Sequence, residues 1–261
     1  MSNRNFAMTE QLKTSNIAIC EEEISISRPS GTLPVFCAYP DDKQSHPAVI
    51  LIHEIFGVNE HIKDLARRFA RQSYAVYAPD LFAYAPGLPE NRNDIAAMRS
   101  VWAGIADDQL ISDLQAVFSE VRSSTRVQGK PIGAIGYCMG GAIAFMFACR
   151  SPMLAWVADY YGRIYYQDLT DKKPRHPISY TGGLNCPLLG LFAGVDDLIT
   201  EEHVQHFEKK LQELGKTYQM KVYPGAKHAF FNDTREFYHY DAANDAWQLT
   251  LSFIASHSVL K

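Results

Sequence analysis

The sequence has 261 residues, of which 47% are hydrophobic and 21% charged, a composition that excludes a disordered or fibrous chain. Its 25 Lys and Arg residues against 29 Asp and Glu give a net charge of −4, which excludes a strongly basic nucleic-acid-binding surface. Since no uncharged apolar stretch reaches about 18 residues, no transmembrane helix is predicted.

The N-terminal residues 1–20 are predicted to form a loose leader. They lack the apolar stretch of a secretory signal, so we expect a cytoplasmic location. The five cysteines are scattered and form no CxxC pair, which favours neither a disulfide framework nor a zinc site. The sequence therefore predicts no metal and no cofactor.

The first predicted element is an antiparallel hairpin, with strands over 24–27 and 33–39 and a turn at 28–31. Short apolar runs and segments of helical periodicity then alternate along the chain. The predicted strands are 48–52, 74–78, 132–136, 156–160, 187–193 and 218–223. The predicted helices are 61–72, 108–123, 140–149, 201–214 and 241–257. This alternation predicts an α/β fold, with a mostly parallel central sheet, helices on both faces and a single domain over 1–261.

Two long connections, 82–107 and 162–185, interrupt the alternation. Both leave the carboxyl ends of predicted strands, where open α/β sheets bind ligands. They are therefore candidate binding loops or lids, and the alternative is that they are solvated surface excursions.

A candidate nucleophile lies at Cys138, in the pattern Gly136-Tyr137-Cys138-Met139-Gly140. This pattern follows a predicted strand and precedes a predicted helix. Glycines allow the two elements to approach closely, so that a sharp turn lifts the sulfur to the end of the sheet. The helix N-terminus favours a thiolate there. The alternative is a buried structural cysteine in a tight turn.

Two later strands end in residues that could serve this nucleophile. Asp196 follows the predicted strand 187–193, and His228 follows the strand 218–223. The order nucleophile, acid, base is that of the α/β-hydrolase fold. Asp197 competes with Asp196 for the role of the acid, and Asp196 is favoured.

A further polar segment, His53-Glu54-Ile55-Phe56-Gly57, follows the strand 48–52. It is not a zinc motif of the HExxH type, because Gly57 stands where the second histidine would be. In an α/β-hydrolase this loop supplies an oxyanion-hole amide, so Glu54 is expected to point into the site. The alternative is a surface carboxylate in a salt bridge.

Taken together, these segments resemble the dienelactone hydrolase family of α/β-hydrolases from about residue 22 to the end. The resemblance rests on 53–59, 78–82, 85–87, 136–141, 160–162, 194–196 and 225–230. It implies that Cys138, His228 and Asp196 form a triad that opens an enol lactone. It also implies that Glu54 holds the thiol proton until substrate binds, and that the amides of Ile55 and Met139 form the oxyanion hole.

The sequence departs from the family where the substrate carboxylate would be held. The dienelactone enzymes carry one arginine in the loop after the Pro-Asp-Leu strand and another four residues beyond the catalytic histidine. Here the loop reads Phe82-Ala83-Tyr84-Ala85-Pro86, and position 232 is Asn232. Arg92, Arg99 and Arg163 are candidates to replace the lost charge.

The predicted function is cleavage of a small ester or lactone through an acyl-cysteine intermediate. The predicted lining of the pocket is aromatic and comprises Phe56, Tyr84, Trp102, Tyr160, Tyr161 and Phe231, many of which could equally be core residues. The alternatives are a carboxylesterase or thioesterase of other acyl substrates, and a non-catalytic ligand-binding or redox-sensing protein. A small molecule is the expected partner, with no nucleic acid and no membrane, and the choice between monomer and homodimer stays open.

Overall fold

A computed structural model describes residues 17–28, 31–151 and 153–258. Its strands are β1 (Ile19–Arg28), β2 (Gly31–Pro40), β3 (Ala48–Ile52), β4 (Ala75–Pro79), β5 (Ile132–Tyr137), β6 (Val157–Tyr160), β7 (Leu188–Val195) and β8 (Tyr218–Lys227). They form one eight-stranded sheet in the order β1-β2-β4-β3-β5-β6-β7-β8. β2 runs antiparallel to both of its neighbours, and every other pair is parallel. The predicted α/β fold is confirmed.

The helices are α1 (Glu60–Ala70), α2 (Ile95–Gly104), α3 (Asp107–Ser123), α4 (Met139–Arg150), α5 (Glu201–Glu213) and α6 (Tyr240–His257), with a 3₁₀ helix at Pro177–Gly183. Among the described residues, no helix combines the length and apolarity needed to cross a membrane.

The connections place helices on both faces of the sheet. From β3 the chain moves one way to β4, and from β5 it moves the other way through β6, β7 and β8. Since such crossovers are right-handed, α1 lies on one face and α4 and α5 on the other. The rings of Phe69 and Trp247, 4.7 Å apart, join α1 to α6. Those of Phe145 and Phe207, 4.9 Å apart, join α4 to α5.

The centre of the sheet is apolar because helices cover its strands on both faces. Every residue of β3 and β5 is buried, as their continuous apolar runs predict. The connection after β3 leads to a strand on one side of this pair, and the connection after β5 leads to a strand on the other side. This divergence leaves a crevice at the carboxyl ends of β3 and β5. The residues that follow β3 and β5 therefore meet at one edge of the sheet.

The two long connections contain more structure than their sequence predicts. Helix α2 lies inside 82–107, and the 3₁₀ helix lies inside 162–185. Helix α2 was missed because only Met98 and Val101 are buried, which leaves little apolar periodicity. The available signal was Asp94, whose side chain accepts a hydrogen bond from the Ala97 amide as an N-cap.

A buried ion pair joins these two connections. The Nζ of Lys173 lies 2.7 Å from Asp107 Oδ1 and donates to the Ile105 carbonyl at 2.9 Å. The Tyr166 hydroxyl also donates to the Asp107 carboxylate. Segments far apart in sequence are thus held together beside the crevice.

At the N-terminus, residues 1–16 of the predicted leader lie outside the described residues. Its last two residues, Ile19 and Cys20, instead begin β1 and pair with Pro40 and Tyr39 of β2.

Candidate active site

The turn between β5 and α4 holds Cys138 in an unusual backbone conformation, with φ 55° and ψ −119°. Left-handed conformations of this kind cost a non-glycine residue on the order of 1–3 kcal/mol and persist where the surroundings enforce them. Here the Cys138 amide donates to the Tyr160 carbonyl at 2.9 Å, and the Cys138 carbonyl accepts from the Gly141 amide at 3.0 Å. A Cβ on Gly136 would lie 1.9 Å from the Gly140 carbonyl oxygen, so only glycine allows strand and helix to meet this closely.

His228 lies between the sulfur and a carboxylate. Its Nε2 is 3.0 Å from the Cys138 Sγ, and its Nδ1 is 2.8 Å from the Asp196 Oδ2. The other oxygen of Asp196 accepts from the amides of Leu198 at 2.8 Å and Ile199 at 3.2 Å. These donors fix the carboxylate toward the imidazole. The structure thus brings together the three side chains that the sequence singles out.

The electrostatics of this group favour a charged imidazole. Burial acts to lower the pKa of His228, but the Cys138 sulfur and the Asp196 carboxylate outweigh it and raise that pKa to about 10. The raised pKa favours a protonated imidazole. Asp197, the competing acid, lies on the wall of the neighbouring cavity and makes no hydrogen bond to His228.

The loop after β3 is fixed by His53, a residue whose role the sequence did not indicate. His53 is fully buried, and its Nδ1 donates to the Glu54 carbonyl at 2.6 Å. Its Nε2 accepts from the Leu81 amide at 3.1 Å, which sets the neutral tautomer, and burial lowers its pKa accordingly. Because the Glu54 carbonyl is held, the peptide plane that carries the Ile55 amide is held as well.

Glu54 is buried, as its predicted place in the site requires, but its partner is unexpected. Its Oε2 accepts from the Asn232 Nδ2 at 2.6 Å, and its Oε1 is buried without a hydrogen-bond partner in the described part of the chain. The resemblance implies that Glu54 holds the thiol proton. Instead, the Cys138 sulfur contacts His228 and Glu54 contacts Asn232.

These groups open onto a cavity of about 440 Å³. Its wall includes the sulfur, the imidazole and Glu54, together with the predicted oxyanion residues Ile55 and Met139. Met139 is the first residue of α4, so its amide has no partner within the helix. The exposed apolar residues of the wall are Ile95, Val195 and Phe237.

A comparison with known protein families identifies the chain. The profile of the dienelactone hydrolase family matches residues 33–258. The chain belongs to the dienelactone hydrolase family. Membership makes the protein a carboxylic ester hydrolase, and it confirms the family resemblance of the sequence motifs.

Individual members of the dienelactone hydrolase family agree with this assignment. The "Putative carboxymethylenebutenolidase" of Salmonella typhi is 34% identical over 248 residues, covering 94% of this chain and 91% of its own length. The "Putative Dienelactone Hydrolase" of Klebsiella pneumoniae has a solved structure that matches with a TM-score of 0.85 at 32% identity, covering 91% of this chain and 99% of that one. An acylaminoacyl peptidase of Pyrococcus horikoshii matches with a TM-score of 0.73 at 14% identity, covering 100% of this chain and 45% of that one, and shows the α/β-hydrolase fold alone.

The predicted aromatic lining of this dienelactone hydrolase family member needs correction. Phe56 and Trp102 do lie on the cavity wall. The remaining four residues do not, namely Tyr84, Tyr160, Tyr161 and Phe231. Tyr84 is 57% exposed, and its hydroxyl lies 3.2 Å from that of Thr32 on β2. The other three are core residues behind the site, where the Tyr161 ring packs 5.3 Å from the His228 ring.

The cavity wall of this family member is rich in cations. It includes Arg99, Arg163, Lys227 and Arg235. The Arg235 guanidinium lies 4.1 Å from the Phe56 ring centroid, and Lys227 lies 5.2 Å from that of Phe237. Arg99 and Arg163 form no ion pair with any described residue. Arg92, the third candidate, is off the wall because it pairs with Asp80 at 2.7 Å.

Proposed function

We propose that this protein hydrolyses small esters or lactones by nucleophilic catalysis at Cys138. The observation that supports this most strongly is the continuous chain of contacts from sulfur to carboxylate, 3.0 Å from Sγ to His228 Nε2 and 2.8 Å from Nδ1 to Asp196. A nucleophile bonded to a base that a third group orients is the general arrangement for covalent acyl transfer.

In the proposed reaction, the Cys138 proton passes to His228 and the thiolate attacks the carbonyl carbon. Collapse of the tetrahedral intermediate breaks the bond to the leaving oxygen, which takes the proton from Nε2. His228 then accepts a proton from water, whose oxygen attacks the acyl-cysteine and releases the carboxylic acid and the thiol. Asp196 holds the imidazole in the required tautomer and stabilises its charged form. Water is the only reactant besides the ester.

The developing oxyanion would be bound by the amides of Ile55 and Met139. The free amide of Met139 at the start of α4 and the fixed peptide after Glu54 support this assignment. Loss of one such donor typically costs about 10²–10³ in kcat.

The cavity wall supports a substrate that joins an acidic group to an apolar body. Arg163 and Arg99 are cations with no ion-pair partner in the described part, while Phe56 and Trp102 supply apolar surface. The name of the Salmonella relative, a carboxymethylenebutenolidase, refers to a lactone that bears a carboxylate. We therefore propose that Arg163 and Arg99 bind the carboxylate that the family arginines would hold.

The first experiment tests the nucleophile. Cys138→Ala is expected to lower hydrolysis of p-nitrophenyl acetate by at least about 10³-fold with an unchanged circular dichroism spectrum. Mass spectrometry of the quenched wild type is expected to show an acyl group on Cys138. The matched control is Cys20→Ala, a cysteine on β1 outside the cavity, which should keep full activity. Turnover retained by Cys138→Ala would refute the proposal.

The second experiment tests the carboxylate site with a pair of aryl esters, one neutral and one bearing a terminal carboxylate. Arg163→Gln is expected to raise KM for the acidic ester about tenfold and to leave the neutral ester unchanged. Arg122→Gln, on α3 and outside this cavity, is the control for loss of a positive charge. An equal effect on both esters would contradict the assignment of Arg163.

A further inference from the structure

Glu54 and Cys138 share one cavity, yet each is engaged with a different partner. The sulfur lies 3.0 Å from His228 Nε2, and the Glu54 carboxylate lies 2.6 Å from Asn232 Nδ2. Family resemblance implies the opposite resting state, in which the glutamate holds the thiol proton. The residue at the point of difference is Asn232, which stands where the resemblance places an arginine.

The orientation of the Asn232 amide is fixed by its own surroundings. Its Oδ1 accepts from the Thr234 amide at 3.0 Å and from the Thr234 hydroxyl at 2.6 Å, so its Nδ2 must face Glu54. Asn232 is 1% exposed, and the next residue, Asp233, lies 2.5 Å from Arg68 of α1. Asn232 is therefore a buried donor on an anchored segment.

Glu54 has a reason to move if this donor is lost. Its Oε1 already lies buried without a hydrogen-bond partner, and an unpaired buried polar atom costs on the order of a kcal/mol or more. The Cys138 thiol, on the same cavity wall, is a donor that could satisfy it. A carboxylate beside the sulfur would keep the proton on the thiol, because like charges disfavour the thiolate.

We propose that Asn232 is a positioning residue that holds Glu54 away from Cys138, so that sulfur and imidazole form a thiolate–imidazolium pair before any substrate binds. The proton of this pair sits on His228 Nε2, and Asp196 stabilises the resulting charge. It follows that no acidic group on the substrate is needed to activate the nucleophile. Neutral and acidic esters should therefore differ in KM and share a similar kcat.

One further titratable group near the sulfur is the Tyr161 hydroxyl, and its pKa is raised by burial and by the Glu54 charge. The cavity wall adds six charged groups, namely Arg99, Arg163, Asp197, Lys227, Arg235 and Glu236. All of them are present in each variant below, so their contribution cancels in the comparison.

The test is the rate at which iodoacetamide alkylates Cys138 between pH 5.5 and 9.5, followed by mass spectrometry of the Cys138 peptide. In the wild type the rate should change little between pH 6.5 and 8.5. In Asn232→Leu it should fall about tenfold at pH 7 and rise steeply with pH, as for an ordinary thiol. Adding Glu54→Gln to Asn232→Leu should restore the rate to within about twofold of wild type.

Restoration by Glu54→Gln separates this role from a structural one, since a merely loosened site would not recover. The proposal is overturned if Asn232→Leu keeps the wild-type profile, or if the double variant stays slow. If Asn232→Leu does not fold, Thr234→Val removes one bond that orients the amide and should slow alkylation at pH 7 about threefold, and an unchanged rate would then overturn the proposal. The inference rests on the proposed function for the identity of the nucleophile, but alkylation needs no ester cleavage, so failure of one is distinguishable from failure of the other.

Discussion

Asp159 lies directly beneath the nucleophile turn, and its replacement by asparagine should change how stability depends on pH. The residue is in β6, it is 2% exposed, and its Oδ1 accepts from the Gly162 amide at 2.8 Å. Burial raises its pKa from 3.8 to about 7, although the Gly162 hydrogen bond acts in the opposite direction. Asparagine keeps the acceptor for Gly162 and cannot ionise.

The direction of the pH effect on stability follows from the pKa of Asp159 in the unfolded and folded states. The unfolded carboxyl group loses its proton near pH 4 and the folded one near pH 7, so the folded state binds the extra proton between these values. Stability is therefore lost as pH rises from 4 to 7 and then levels off. A shift of about three pKa units corresponds to about 4 kcal/mol in total, of which about 2–3 kcal/mol falls between pH 5 and pH 8.

The assay is urea unfolding of wild type and Asp159→Asn at pH 5 and at pH 8. The free energy of unfolding of the variant, relative to wild type, should be about 2–3 kcal/mol higher at pH 8 than at pH 5. In this difference the contributions of the other titrating groups to the free energy of unfolding cancel, and so does any change in packing energy that does not depend on pH. Asp171→Asn, at an exposed position, serves as the control. A relative stability equal at the two pH values would refute the reasoning.

Three further outcomes are expected. Asp196→Asn should lower kcat for ester hydrolysis by about 10²–10⁴ with the fold retained, because the imidazole loses its orienting acceptor, and steady-state kinetics measures this. Gly136→Ala should destabilise the protein by more than about 3 kcal/mol in urea unfolding, since its Cβ would lie 1.9 Å from the Gly140 carbonyl oxygen. Lys173→Met should cost about 3–5 kcal/mol by leaving the Asp107 carboxylate buried and unpaired, and adding Asp107→Asn should recover much of that loss.

The parts of the fold that the sequence predicted are those with strong local patterns. The strands β3 and β5 and the turn at Cys138 could be predicted, because buried parallel strands need continuous apolar residues and the turn needs glycine. Helix α2 could not be predicted from its periodicity, because it buries only one narrow edge and its capping residue is its main sequence signal. When a helix buries few residues, contacts with residues far away in the sequence determine whether and where it forms. The periodicity of its own residues does not reveal those contacts.

The candidate site divides in the same way. Cys138, Asp196 and His228 could be selected because each follows a strand in a recognisable order. The pairing of Glu54 with Asn232 could not, since it joins two loops 178 positions apart in the chain. Aromatic residues gave the weakest signal, because Tyr160 and Phe231 look the same in sequence whether they line a cavity or pack behind one.

The single ammonium group of Lys173 binds both Asp107 and the Ile105 carbonyl, and it lies 5.0 Å from the Trp102 ring. These contacts link the two long connections beside the cavity, and moving the connections apart would leave the buried Lys173 without its counter-ion. We expect the substrate to enter between Ile95, Val195 and Phe237, and we expect the width of this entrance to stay constant. The width of the entrance would then set the largest ester that the protein accepts, and closure of a loop would not limit the rate of turnover.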